Sequence, residues 1–428
     1  MSENQNNFLF VWPYVFLLKC GVQQYAWGKI GSDSEVAKLS QNSNPDFNLK
    51  EDAPYAELWM GTHPNCPSYV DIPGKEQIKL EDWIKDHRNK LGSEVNTYFD
   101  GKLPFLFKVL SVKTSLSIQA HPNKVHAEQL HASRPDVYKD SNHKPEMAIA
   151  LTPFQGLCGF RMIKEIVEYV QEIEELRTVV GPHNACKLIT VSKSLDMPLH
   201  REAIKDCFMA MMERDADTVK KELEKLVNRV QVLVEAGHDT TAYNGQLLLK
   251  LHEEFPGDVG GFAIYFLNII TLKPGQAMFL EADLPHAYLY GDCMECMACS
   301  DNVVRAGLTP KLRDVHTLCE MLDYTGRPAA KTLFKGVESV EDINVTVFRP
   351  PVPDFSVIRY ETIKEKKLAP VDSASICIVI QGQGSLTNHS ITKPISLKRG
   401  SVFFIGAMEE VELQVSSNFL LFRALAGL

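Results

Sequence analysis

At 428 residues the chain is long enough for two or three domains, each with its own core. Its apolar share of 45% and charged share of 23% are those of a folded globular protein, and a formal charge of −9 argues against a nucleic-acid footprint. The same balance leaves room for a local basic pocket that takes a small anion.

Phe8 to Leu18 is the only apolar run near the start. It falls short of the roughly 20 residues a bilayer span takes. Pro13 interrupts it and Glu3, not a basic segment, precedes it, so it does not read as a signal peptide. It is expected to form an edge strand or an atypical N-terminal extension. No later stretch spans a membrane, so neither membrane nor nucleic acid is an expected partner. The 10 cysteines are scattered apart from Cys293, Cys296 and Cys299, which fits a reducing, cytoplasmic compartment.

From Gln23 to about Phe107, turn formers separate short apolar runs. Gln23–Gly28 and Tyr55–Gly61 read as strands or strand ends, and Leu80-Glu81-Asp82 opens a short helix through Trp83 and Ile84. Val109, Leu110, Val112, Leu116 and Ile118 then read as one strand running into a turn at Pro122. Residues two apart on a strand share a face, so Gln119 and His121 project together. An amide oxygen beside an imidazole is half of a metal shell, which Glu146 and His286 would complete. With Glu146 as the sole anionic ligand, a divalent ion there keeps a net positive charge and an open position for substrate or water. On the residues alone, a hydrogen-bonded core histidine at His121, with Gln119 a bystander, is the competing reading.

Asn123–Leu130 follows as a helix, Arg134–Pro145 as a polar loop and Glu146–Leu151 as a strand, with Gly156–Phe160 closing the unit. Helical spacing then takes over in Lys164–Arg177, Asp217–Glu235 and Gln246–Phe255. In the second of these, Leu223, Leu226, Val227, Val230 and Val234 form one stripe. This block reads as a helical insertion into a β domain.

Strand character resumes at Phe262–Leu272. Lys273-Pro274-Gly275 feeds an apolar strand and then His286; Lys398-Arg399-Gly400 feeds a similar strand and then Glu409, Glu410 and Val411. Counted from the shared glycine, Val411 stands where His286 does, which suggests two related β-barrels, the second without the histidine ligand. Val315–Leu322 reads as a helix, Gly326–Val340 as a connection, and the last β unit starts near Val345. Gly382-Gln383-Gly384 reads as a hairpin turn, and no nucleotide-phosphate cradle is present in the sequence.

Several longer motifs carry a family resemblance. Gln119-Ala120-His121-Pro122-Asn123-Lys124, Asn142-His143-Lys144-Pro145-Glu146-Met147 and the stretch from Asp292 to Asn302 resemble type I mannose-6-phosphate isomerases. Pro285-His286-Ala287-Tyr288, Arg305 to Lys311, Trp27-Gly28 and Glu57 to Pro64 agree, in the same order, from about Gln23 to the C-terminus. The resemblance implies a mainly β, cupin-type fold of two jelly-roll barrels with a helical domain. Residues 1–160 and 261–325 would form the catalytic barrel, 161–260 the helical insertion, and 326–428 a C-terminal barrel without metal ligands. It implies one Zn2+ held by Gln119, His121, Glu146 and His286, and interconversion of mannose 6-phosphate and fructose 6-phosphate through an enediol, supplying mannose 6-phosphate for GDP-mannose synthesis and glycosylation. A monomer is the expected assembly.

That chemistry needs one base with a pKa near the working pH and cations for a dianionic phosphate. Glu295, in a segment of small and apolar residues, is the expected base, with Asp301 behind it. Arg305 and Lys311 are expected on the phosphate, although Arg305 could instead contact the reacting oxygens. Lys144 would hold a sugar oxygen or help shuttle the proton, and Ser117 and Glu57 would contact substrate. Cys293, Cys296 and Cys299 are expected to be packing residues, not thiolate ligands. Two other classes compete: a cupin oxygenase using Fe(II), and a sugar-phosphate-binding protein without catalysis. The phosphate-suited cations and Gln119 as a fourth ligand disfavour the first; the intact ligand set disfavours the second.

Overall fold

The computed structural model describes residues 13–311, 313–362 and 365–428. It is rich in antiparallel sheet. One eight-stranded sheet carries, in order, Val337–Glu338, Val345–Phe348, Ser356–Thr362, Phe419–Leu425, Ser375–Gln381, Val402–Ile405, Val15–Lys19 and Tyr69–Asp71. A four-stranded sheet (Glu365–Leu368, Val411–Val415, Gly384–Thr387, Ile395–Leu397) packs on it through Leu368, Leu386, Val411 and Leu413 against Val379, Phe403 and Leu421. Val411 is fully buried at the start of its strand, as His286 is at the start of its own. Hydrogen-bonded pairing among the described residues leaves open edges and closes no barrel.

Val15–Lys19 is not an edge strand. It pairs with Val402–Ile405 on one side and Tyr69–Asp71 on the other, because alternating Phe16 and Leu18 reach one core while Val15 and Leu17 reach another. Residues 8–12 of the apolar run lie outside the described residues.

The other large sheet is organised by His286–Ala298. Its first half pairs with Phe154–Phe160 and Gln119, its second half with Phe105–Val112 and Glu146–Ala150. The changeover falls at Gly291, whose φ of +115° only glycine adopts readily; a Cβ there would stand 2.5 Å from Pro153 O. Phe16, Trp83 and Phe404 join Phe107, Met147 and Met294 in one core that spans both large sheets.

The single strand expected from Val109 to Ile118 is two: Phe105–Val112 and Ile118–Ala120. Between them the Lys113 and Thr114 amides donate to Trp27 O and the Leu116 amide to Tyr288 O, which turns the chain from one half of the sheet to the other. The stretch Lys164–Arg177 breaks at Ile173 into Ile163–Glu172 and Glu174–Val180. Two further helices, Pro182–Val191 and Met197–Met212, complete the block with Ala216–Glu235 and Gly245–Glu254. The strand expected over Phe262–Leu272 starts only at Leu267, after a short helix Gly260–Ala263. The helical core extends onto the sheet through Ile118, Ala120, Leu157, Ala287 and Val304. Ile118 and Ala120 thus bury toward the helices, and strand alternation sends Gln119 to the opposite face.

Candidate active site

Three strands set the first row of the site. Gln119 is the cross-strand partner of His286 on one side and of Arg305 on the other. Directly opposed residues of antiparallel strands share a face, so the amide, the imidazole and the guanidinium line up. Glu146 enters from Glu146–Ala150, which pairs with the far half of the His286 strand.

His121, Glu146 and His286 are all buried, and their ligand-type atoms lie within 4.8 Å of one another. Glu146 Oε1 is 3.0 Å from His286 Nε2 and 3.4 Å from His121 Nε2. His121 Nδ1 lies 2.6 Å from Asn302 O and His286 Nδ1 lies 2.8 Å from Leu284 O, so backbone carbonyls orient both rings and leave both Nε2 atoms facing Glu146. His121 Nε2 is buried with no hydrogen-bond partner among the described residues. An orphaned ring nitrogen beside a carboxylate and a second imidazole is what a divalent ion would satisfy, and the donor set fits one. Burial, aided by Lys144, lowers His121 to about 4 despite Glu146, so the ring stays neutral and ligating at neutral pH. Burial pulls Glu146 upward, but Lys144 and both imidazoles hold it well below the usual carboxylate range.

A second cluster adjoins the first. Lys108 Nζ lies 3.1 Å from Glu295 Oε2 and 3.7 Å from Glu57 Oε2, and 4.9 Å from the centre of the Trp59 ring. Tyr288 Oη donates to Glu295 Oε1 at 2.8 Å, and Trp59 Nε1 donates to Glu57. Burial raises Glu295; Lys108 opposes that, and the Glu146 and Glu57 charges add to it. Burial disfavours the Lys108 charge, yet Glu57, Glu295 and Glu146 together raise it above its ordinary value. Tyr288 stands in the Pro285–Tyr288 motif with no role assigned to it by the sequence, and Lys108 is not singled out there at all. A signal was present for Lys108: it is the lone charge in Phe105–Val112, a strand buried at every position.

Lys144 precedes its strand yet its Nζ reaches within 3.4 Å of Glu146 Oε2. Ser117 Oγ donates to Gln119 Oε1 at 3.3 Å. Arg305 is half-buried and its guanidinium faces no acidic partner among the described residues. Lys311 lies on an exposed loop beyond it. Asp301 is the outlier: an exposed carboxylate 3.3 Å from His63 Nε2, which holds it below the usual range. Cys293 and Cys296 lie on a strand, on opposite faces and in different cores, and all 10 cysteines are free. No helix among the described residues is long and apolar enough to cross a membrane.

Residues 15–163 match the family described as phosphomannose isomerase type I, catalytic domain, and residues 179–267 match its helical insertion domain. The mannose-6-phosphate isomerase of Bos taurus is 53% identical over 415 residues, covering 96% of this chain and 98% of its own. That of Homo sapiens is 51% identical over 417 residues, covering 96% and 98%. A solved variant of phosphomannose isomerase from Salmonella typhimurium superposes with a TM-score of 0.81 at 32% identity, covering 97% of this chain and 100% of its own. A structure described as mannose 6-phosphate isomerase, holo and zinc bound, does so at 0.81 and 31%, covering 97% and 100%.

Proposed function

The chain belongs to the type I phosphomannose isomerases, and from that premise we propose that it is a zinc enzyme interconverting mannose 6-phosphate and fructose 6-phosphate through an enediol. The observation that carries this is the buried His121–Glu146–His286 cluster with its orphaned His121 Nε2. Gln119, opposite His286, is the fourth ligand. A bound Zn2+ supplies a Lewis acid for the charge that grows on the sugar oxygens.

Glu295 is the base. It takes the proton from C2 of the open-chain aldose and returns it to C1 while the O2 hydroxyl proton passes to O1, its own two oxygens held by Tyr288 and Lys108. Its raised pKa brings it toward neutrality, whereas Asp301, lowered by His63, is the weaker candidate. Lys144, beside Glu146, holds a sugar oxygen or relays a proton. Arg305 and Lys311 hold the phosphate, Arg305 from the row it shares with Gln119 and His286. Ser117 and Glu57 position substrate from the flanks.

The units 1–160 with 261–325 and 326–428 are read as jelly rolls flanking the helical insertion 161–260. Ten free cysteines support a cytoplasmic location; a monomer supplying mannose 6-phosphate for GDP-mannose synthesis and glycosylation completes the reading. A coupled assay of mannose 6-phosphate turnover, run with and without chelator beside metal analysis, tests the reaction. Turnover abolished by chelator and restored by zinc is expected. Stoichiometric iron with oxygen uptake would replace the isomerase with an oxygenase.

A further inference from the structure

Asp258 lies where the helical block returns to the sheet, just before the short helix Gly260–Ala263. Among the described residues its carboxylate engages backbone only. Oδ1 accepts from the amides of Gly260 at 2.7 Å and Leu308 at 2.8 Å, and Oδ2 from Thr309 at 3.3 Å. Thr309 Oγ1 in turn accepts from the Lys311 amide at 3.1 Å.

The turn so held is unusual. Leu308 is 1% exposed and has φ +53°, the left-handed region, which a bulky residue occupies only where its surroundings over-determine it. The packing leaves no slack: a Cβ on Gly260 would stand 2.6 Å from Leu308 Cγ, and one on Gly307 3.0 Å from Asp258 Oδ1. Arg305 lies just upstream of this turn and Lys311 just downstream.

We propose that Asp258 is a positioning residue: by pinning the turn 307–309 it fixes Arg305 and the start of the Lys311 loop relative to each other, and so sets the affinity for the substrate's phosphate. The helical block thereby reaches the site without contributing a group to it. The inference rests on assigning Arg305 and Lys311 to the phosphate.

The test uses full-length, zinc-loaded enzyme with Asp258→Ala, Asp258→Asn, Arg305→Ala and Lys311→Ala. The readouts are kcat and KM for mannose 6-phosphate, the inhibition constant of inorganic phosphate, zinc content and thermal midpoint. Asp258→Ala is expected to raise both KM and the phosphate inhibition constant about tenfold, as loss of charge-assisted hydrogen bonds would. Its kcat and zinc content should change by less than about twofold. Asp258→Asn keeps one acceptor oxygen for Gly260 and Leu308 and should recover part of the loss; it carries the same test if the alanine variant does not fold. A lower thermal midpoint with phosphate inhibition unchanged, or a loss confined to kcat and zinc, would overturn the proposal. If Arg305→Ala and Lys311→Ala both leave phosphate inhibition intact, the assignment beneath it fails and the proposal goes with it. If they weaken inhibition and neither Asp258 variant does, only the role of Asp258 is lost.

Discussion

Arg305 stands directly opposite Gln119, and Gln119 directly opposite His286, so the guanidinium and the metal cluster share one row of side chains across three strands. Proximity of that kind lets two functions be separated by mutation. His286→Ala removes one of the imidazoles facing Glu146 and should abolish zinc content and turnover together. The helical block, whose core is made of other residues, should keep its far-ultraviolet signature. A variant that stays active while poor in metal would remove the metal centre from the reaction.

Arg305→Ala should leave zinc content near one per chain while raising KM for mannose 6-phosphate by about ten- to a hundredfold, the range for losing a charged contact to phosphate. Equal damage to metal content and KM would make Arg305 a structural residue instead.

Lys108→Met keeps the bulk of the side chain but removes the cation between Glu295 and Glu57. A nearby cation favours the carboxylate, so its loss raises the Glu295 pKa further. The acid limb of kcat/KM should therefore move to higher pH. Measuring the full pH profile of the variant decides this; an acid limb that stays where it was would detach Glu295 from proton transfer.

Metal removal should expose an acid weakness. Burial places His121 at about 4 in the folded protein, below its ordinary 6.5. Between those values the unfolded chain binds a proton that the folded one does not, so stability rises with pH across the window and is lost as pH falls through it. Burial opposes the shift at Glu146, but the neighbouring Lys144 and imidazoles hold it low and extend the same sign below the carboxylate range. Chelator-treated protein should melt at a lower temperature near about pH 5 than near about pH 7.5. Equal melting temperatures would contradict the placement of His121.

Gly291→Ala tests the changeover in the long strand. With φ at +115° and Pro153 O in the way, an added methyl should cost about 2–3 kcal/mol or more in stability. Equilibrium unfolding in denaturant reads this directly, and a loss below about 0.5 kcal/mol would mean that the strand can bend elsewhere.

The sequence singles out all three residues of the buried cluster, His121, Glu146 and His286, because at His121 strand alternation and the longer motifs point the same way. The helical block was visible in the stripe of Ala216–Glu235, although its break at Ile173 left no composition signal strong enough to find. Long-range pairing was not visible. Nothing local distinguishes an edge strand from an interior one, so the partners of Val15–Lys19 appear only in three dimensions. The break between Val112 and Ile118 is likewise set by Trp27 and Tyr288, which accept the freed amides from far along the chain. A lone lysine in an apolar run is ordinarily a surface residue, and the two carboxylates that retain Lys108 inside come from other strands.

Val15–Lys19 lies between Tyr69–Asp71 and Val402–Ile405. During synthesis, one side of this strand must wait until Val402–Ile405, far downstream, has left the ribosome. Until then an apolar, hydrogen-bond-hungry edge stays open to other nascent chains. Release of a chain truncated before Val402 would leave that edge permanently uncovered, so loss of the C-terminal strands should be felt first as aggregation and only second as loss of turnover.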